Sequence, residues 1–267
     1  MDNTLNLRQY NLASSVVFKK TREAFGGLSN MAGGYPILVN GIEVKTSEAL
    51  YQAARFPHDP EVQRLILAQS SPMSAKMKAK GHIGFTRTDW NLIRSSVMYW
   101  ALKVKLANNF LEFGKLLEAT TTKDIVELSR TDKFWAAIPS KENPGLLVGV
   151  NALGRLLMKL REEYNSDRRF ELLVVTPPNV SDFLLLGQKI EVLDYSNSFY
   201  NRYILKTSST PLKIQAGQIV HSPKKLLNPT KIESNIRSDV GRQPQKMISR
   251  RKPKSANSET NLFSSTS

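Results

Sequence analysis

The sequence predicts an α+β fold: a mostly helical domain with a short β-hairpin, then a small β-rich appendage and a disordered basic tail. Three observations carry this reading. Helix start and stop signals recur between residues 47 and 163, with apolar residues at helical spacing between them. One Asn-Gly pair sits between two β-branched runs, the strongest short-range hairpin signal. Beyond residue 205 apolar periodicity fades while Ser, Pro, Lys and Arg accumulate. The expected boundaries are 16–165 for the main domain, 166–205 for the appendage and 206–267 for the tail.

The elements follow in order. Pro36 to Val44 reads as the hairpin, turning at Asn40-Gly41. Ser47 to Phe56 reads as a helix stopped by Pro57. Asp59-Pro60 supplies an N-cap and a first-turn proline for a helix carrying Val62, Leu65 and Ile66. Pro72 to Lys80 is a short helix closed by Gly81. Asp89 is the expected cap of the longest helix, with Trp90, Ile93, Val97, Trp100 and Val104 on one side. Leu111 to Ala119 is another helix, Lys123 to Ser129 a strand, and Asn151 to Glu163 a leucine-rich helix. In the appendage, Leu172–Thr176, Ile190–Leu193 and Tyr203–Leu205 read as short strands.

Composition excludes several chemistries. There is no cysteine among the 267 residues, so disulfides, thiolate metal sites and a cysteine nucleophile are ruled out. The three histidines, His58, His82 and His221, are scattered, so no zincin-type ligand pair exists. No metal and no cofactor are expected. No run approaches the length of a membrane span, and Met1–Thr4 lacks the features of a secretory signal, so a cytoplasmic protein is expected. The net charge is +15, of which the tail holds +9, with twelve Lys/Arg against Glu233, Asp239 and Glu259. Such a balance points to polyanionic partners.

Several polar groups stand out. Glu48, Tyr51, Gln52 and Arg55 share one face of the Ser47–Phe56 helix. A solvated face is the plain reading; a cleft wall is the functional one, and Tyr and Gln favour the cleft. Phe25 to Gly34 holds four glycines, along with Ser29 and Asn30, and is either a flexible loop or a phosphate cradle. Lys76 and Lys80 share a helix face that is either solvated or set to meet pyrophosphate, with Lys78 turned away. Asp132 precedes Trp135 by three residues; Trp90 and Trp135 are core residues or stacking platforms. Asn151 is placed to cap a helix whose N-terminus can bind an anion. Gly154, inside that helix, marks a close contact with another element or a ligand.

The ordered set of these segments resembles the NADAR family (NAD and ADP-ribose associated domains). It runs from Phe25-Gly-Gly-Leu-Ser-Asn-Met-Ala32 and Thr46-Ser-Glu-Ala-Leu-Tyr-Gln-Ala53 through Ser71-Pro-Met-Ser-Ala-Lys76 and Arg87-Thr-Asp-Trp90. It continues with Val126-Glu127, Asp132-Lys-Phe-Trp135 and Gly149-Val-Asn-Ala-Leu-Gly154. One departure is that many relatives have Trp-Gly where Trp135 here precedes Ala136-Ala137.

The resemblance implies an N-glycosidase. Some members act on phosphorylated riboflavin-biosynthesis intermediates. Others remove ADP-ribose from guanine bases in nucleic acid, reversing a DarT-type ADP-ribosyltransferase toxin. The second activity is the expected one, since it gives the basic tail a task; the partners are then ADP-ribosylated nucleic acid and, functionally, the toxin. Breaking a C1–N bond builds oxocarbenium character, which a carboxylate stabilises while a second group protonates the leaving base. Glu48 is the first choice for that carboxylate and Asp132 the second. Lys76 is the candidate for a Schiff base with opened ribose. Asn30, Gln52 and Asn151 are candidates for ribose hydroxyls and phosphates, Arg55 for pyrophosphate, and Trp90 and Trp135 for ring stacking; Ser29 accompanies Asn30. A non-catalytic ADP-ribose or nucleic-acid reader is the third reading, and the presence of both acids argues against it.

Overall fold

The structure, a computed structural model, describes residues 6–204. The expected tail, 206–267, lies outside the described residues. The chain opens with strands β1 (Arg8–Asn11) and β2 (Val16–Phe18). The hairpin is present as β3 (Ile37–Val39) and β4 (Ile42–Val44), with Ile37 opposite Val44. Asn40 and Gly41 both take positive φ, 49° and 77°, as its two-residue turn demands.

Five helices follow. Helix α1 (Ser47–Ala53) is capped by Thr46, whose hydroxyl accepts from the Ala49 N–H. Asp59 caps α2 (Pro60–Leu67) and Ser71 caps α3 (Pro72–Gly81) in the same way. Helices α4 (Trp90–Asn108) and α5 (Phe110–Glu118) come next. Strands β5 (Ile125–Glu127), β6 (Ile138–Pro139) and β7 (Leu146–Gly149) lead to α6 (Ala152–Tyr164). Strand β7 lies antiparallel between β1 and β6, while β2 and β5 run parallel.

Helix α4 is the axis of the domain. It touches α1, α5, α6 and β3, and it buries Val97, Trp100, Leu102, Val104 and Leu106. Burying one such side chain stabilises the fold by roughly 1.5–3 kcal/mol. Helix α1 is buried along its whole length, its alanines Ala49 and Ala53 allowing close approach of its neighbours. The solvated-face reading of Glu48, Tyr51 and Gln52 therefore fails: none is more than 5% exposed.

Other expectations need correction. Asp89 stands at the head of α4, but its side chain makes no cap; both its oxygens accept from the Arg87 guanidinium at 2.6 and 2.9 Å. The α1 helix ends at Ala53, so Arg55 sits in the exit turn. Residues 166–204 hold less strand than expected. Leu172 and Leu173 belong to a 3-10 turn, Arg169–Leu173, followed by the two-residue β8 (Val174–Val175). Strands β9 (Leu184–Leu185), β10 (Gln188–Lys189) and β11 (Leu193–Asp194) are equally short. After the single turn α7 (Ser196–Phe199), Tyr203 lies in a π-helical turn, Tyr200–Ile204, and not in a strand; Leu205 is outside the described residues.

Aromatic packing explains the last difference. Phe199 and Tyr203 are four residues apart and meet at 5.1 Å, and Phe199 packs edge-on to Phe110 at 5.2 Å. That burial needs helical spacing and overrides the β-propensity of the residues. The segment is also tied to the helices. The Gln63 amide donates to Leu184 O and accepts from Leu186 N, and the Tyr195 hydroxyl donates to Leu38 O.

Gly154 makes the close contact its position implied. A Cβ there would lie 2.0 Å from the Ile125 carbonyl oxygen, on the backbone of β5. Gly154→Ala must push α6 away from β5. The expected loss is about 1–3 kcal/mol of stability, read as a lowered Tm. An unchanged Tm would mean the two elements separate freely.

Candidate active site

A cleft of about 340 Å³ opens between α1, α3, α4 and the end of β5. Nine of the ten side chains given a catalytic or binding role from the sequence line it. Glu48, Gln52 and Arg55 come from α1 and its exit turn, and Lys76 from α3. Ser29 and Asn30 come from the glycine-rich segment, Trp90 from the head of α4, and Asp132 and Trp135 from the loop after β5. Tyr51, Arg94, Met98 and Glu127 line it as well.

Glu48 is buried, and each of its oxygens accepts from a side-chain amide. Asn30 Nδ2 donates to Oε2 at 2.6 Å, and Gln52 Nε2 donates to Oε1 at 2.8 Å. Gln52 Oε1 in turn accepts from Arg55 Nη1 at 3.1 Å, and Arg55 Nη2 donates to the Thr86 hydroxyl. A carboxylate is an acceptor only, so it fixes both amides with their NH₂ groups inward. Asn30 Oδ1 is thereby left as a buried acceptor with no partner among the described residues. The glycine-rich segment is no slack loop: Leu28, Ser29, Asn30 and Ala32 are buried.

Glu127 is a cleft residue that composition and spacing did not single out. It closes the apolar strand β5, and its Oε1 accepts from Ser29 Oγ at 3.2 Å. Burial first, then the nearby Asp132 and Glu48 charges, push its pKa up to about 7, against the pull of Ser29 and Lys76. A carboxyl of that kind still holds a proton near neutral pH, whereas unperturbed glutamate does not. An acid ending an otherwise apolar strand, Ile125-Val126-Glu127, was the available signal.

Asn151 is not in the cleft. It is fully buried in a left-handed conformation, φ 50°, and makes no side-chain cap. Its Nδ2 donates to Ile125 O at 2.8 Å and its Oδ1 accepts from Glu127 N at 3.3 Å. It pins β5 to the head of α6 beneath Glu127, so it supports the acid from outside the cleft and, fully buried, does not reach a ligand there. Asp132 is exposed, and its Oδ1 accepts from the Phe134 and Trp135 N–H groups, both at 2.8 Å. That turn fixes the Trp135 backbone. Lys80 shares the exposed arc of α3 with Lys76 but does not line the cleft.

The aromatic wall is continuous. Tyr51 meets Trp90 at 5.0 Å and Trp135 at 5.8 Å. Trp90 is both core and wall, being buried yet lining the cleft. Arg94 lies over the Phe134 ring at 3.6 Å. Burial and the Glu48 charge raise the Tyr51 pKa, so the phenol stays neutral.

Behind the glycine-rich segment lies Lys105, a fully buried lysine of α4. Its ammonium donates to Gly27 O at 2.7 Å and Ser29 O at 3.2 Å. It also sits over the Tyr35 and Phe113 rings at 4.4 and 4.3 Å. Burial pulls its pKa down to about 7, while the two carbonyls and two ring faces favour the charged form. Among the described residues no group of three His, Asp or Glu stands where it could hold a metal, and no helix is long and apolar enough to cross a membrane.

Residues 17–165 match the NADAR domain. The chain belongs to the NADAR family. It is 34% identical over 146 residues to N-glycosidase YbiA of Escherichia coli, covering 55% of this chain and 86% of that protein. It is 29% identical to N-glycosidase Npun_R5314 of Nostoc punctiforme, covering 56% of this chain and 92% of that one. A maize protein, riboflavin biosynthesis protein PYRR, is 35% identical over 55% of this chain but only 25% of its own length. The NMR structure of E. coli YbiA aligns with a TM-score of 0.47 at 32% identity, over 56% of this chain and 84% of that one. By this homology the NADAR protein described here is a hydrolase, an N-glycosidase.

Two outcomes are expected of the carboxylates. Glu48→Gln removes charge and keeps size; turnover should fall about 100-fold or more with the fold intact by circular dichroism. Near-wild-type turnover would remove Glu48 from the chemistry. Glu127 loses its proton as pH rises through about 7, so kcat/KM should fall above that pH if it acts as the acid. A kcat/KM profile flat from about pH 6 to 9 would exclude that role.

Proposed function

We propose that this NADAR protein hydrolyses the bond between ADP-ribose and a guanine base in nucleic acid. It would thereby undo the product of an ADP-ribosyltransferase toxin and serve as the antitoxin of such a pair. One observation supports this substrate over a smaller one. Two arginines line the cleft, and each keeps a buried Nε–H without a partner among the described residues, Arg55 and Arg94. Lys76 adds a third cation at the rim. A diphosphate between two sugars offers several anionic acceptors to such donors, and guanidinium groups match phosphate geometry. The aromatic wall of Tyr51, Trp90 and Trp135 gives a base or ribose a flat surface.

The chemistry assigns distinct tasks. As the C1–N bond breaks, its electron pair leaves with the base, and Glu127 protonates the departing nitrogen. The Glu48 carboxylate lies beside the positive charge that grows on C1 and the ring oxygen. Water then bonds to C1 and gives its proton to the Glu127 carboxylate, which restores the acid. Asp132 is the second candidate for the carboxylate role, at the exposed edge of the cleft. Asn30 Oδ1, the unpartnered acceptor, is available to a ribose hydroxyl.

Lys76 has two possible tasks, pairing with phosphate or attacking C1 of opened ribose. A borohydride-trapped adduct on Lys76 during turnover assigns the second. No adduct, with Lys76→Arg still active, assigns the first.

The kinship to riboflavin-biosynthesis proteins of maize and Vibrio vulnificus favours one other reading, an N-glycosidase for phosphorylated riboflavin intermediates. One assay separates the two. The protein is incubated with ADP-ribosylated guanine-containing DNA and, separately, with the phosphorylated riboflavin precursor. Release of free ADP-ribose from the DNA is expected. Release of ribose 5-phosphate from the precursor, with the DNA adduct left intact, overturns the proposal.

A further inference from the structure

Helix α3 has a face that the fold does not use. Ala75 and Ala79 are its buried residues. At 100° per residue, Met73 and Met77 fall on the opposite arc, and both are more than half exposed. Lys76 and Lys80 flank this methionine row on one side and Lys78 on the other. Met73, Met77, Lys78 and His82 line one shallow hollow. The 3-10 turn that follows, Ile83–Phe85, carries Ile83 at 61% exposure and Phe85 at 71%. A free phenyl ring on a turn, beside exposed methionines and lysines, is a poor solvent surface.

Charge narrows the choice of partner. From Val62 to Thr88 there are five Lys/Arg and no Asp or Glu. The face is continuous with the cleft through Lys76, which belongs to α3 and lines the cleft. The partner must therefore be anionic and must offer flat apolar groups to Phe85 and the methionines. It must also reach the cleft. A single strand of nucleic acid meets all three demands: its phosphates are regularly spaced and its unpaired bases stack on aromatic side chains.

We infer that the exposed face of α3 and the Ile83–Phe85 turn dock a single nucleic-acid strand beside the cleft. Phe85 stacks on an unpaired base, and Lys78 and Lys80 contact the phosphates on either side. The inference rests on the nucleic-acid reading of the cleft. It assigns strand capture to the folded domain and not to the basic tail alone.

The test uses the full chain and a single-stranded DNA 12-mer that bears no ADP-ribose and carries 5-iodouracil, so it does not depend on turnover. After irradiation, mass spectrometry should place the cross-link on Phe85. Separately, Lys78→Gln/Lys80→Gln should reduce the slope of log affinity against log salt by about 1.4. Phe85→Ser should weaken binding about tenfold. These residues lie outside the cleft, so hydrolysis of a free ADP-ribosyl nucleoside should be unchanged in the same variants. Cross-links confined to residues beyond 205, or binding unchanged in both variants, overturn the inference even if the DNA adduct is hydrolysed. Binding to phosphatidylserine vesicles that is lost in Phe85→Ser, with no DNA binding, also overturns it and assigns the face to a lipid surface. If Phe85 cross-links but neither substrate is cleaved, the docking face stands and the proposed reaction fails.

Discussion

The site depends on one buried lysine amine. Lys105 donates to the carbonyls of Gly27 and Ser29 and rests between two aromatic rings. Burying a charge costs roughly several kcal/mol, and among the described residues its partners are carbonyls and ring faces with no carboxylate. The return is positional. Ser29 and its neighbour Asn30 each grip one acid: Ser29 Oγ donates to Glu127, and Asn30 Nδ2 donates to Glu48 beside Gln52. One lysine on the central helix thus fixes the segment from which both carboxylates are held. Gly26 allows this close seating, since a Cβ there would lie 2.4 Å from the Lys20 carbonyl oxygen.

The same arrangement separates the two acids. Glu48 has an N–H donor on each oxygen, so both are engaged as acceptors. Glu127 has one hydroxyl donor, little water and two acidic neighbours, so it holds its proton to about pH 7. Two glutamates with opposed environments are what acid-assisted departure of a base requires. Asn151 sets the height of Glu127 from below by accepting from its backbone N–H and donating to Ile125 O.

Much of this was legible in the sequence, for identifiable reasons. The hairpin was read from Asn40-Gly41 because only a few residues tolerate positive φ at both turn positions. Helix α2 is legible in a capping side chain followed by proline, and α3 in its opening proline and closing glycine. The polar face of α1 was read from the spacing of Glu48, Gln52 and Arg55, although its burial needed the neighbouring helices. What was not legible depended on distant partners. Asn151 has the chemistry of a cap, but Ile125 and Glu127 claim its side chain from across the fold. Asp89 has the same chemistry, but the guanidinium two residues earlier claims it. Glu127 reads as a charged strand end until the fold brings Ser29, 98 residues away, and Glu48, about 80 residues away, close to it.

A buried polar network is stable only when its members satisfy one another, and a single gap is costly. In this cleft the gaps are few and grouped. Glu48, Gln52, Arg55 and Thr86 form one closed chain of donors and acceptors. What remains unpartnered around it among the described residues is an acceptor on Asn30 and an Nε–H on each of Arg55 and Arg94. A ligand that offers a hydroxyl to the first and anionic oxygens to the others repairs all three at once. One that lacks either group leaves a buried polar atom unpaired, at about 1–3 kcal/mol for each. Discrimination of this kind would rest on the atoms that the fold itself leaves unsatisfied, while the chain of hydrogen bonds through Gln52, Arg55 and Thr86 holds Glu48 in place.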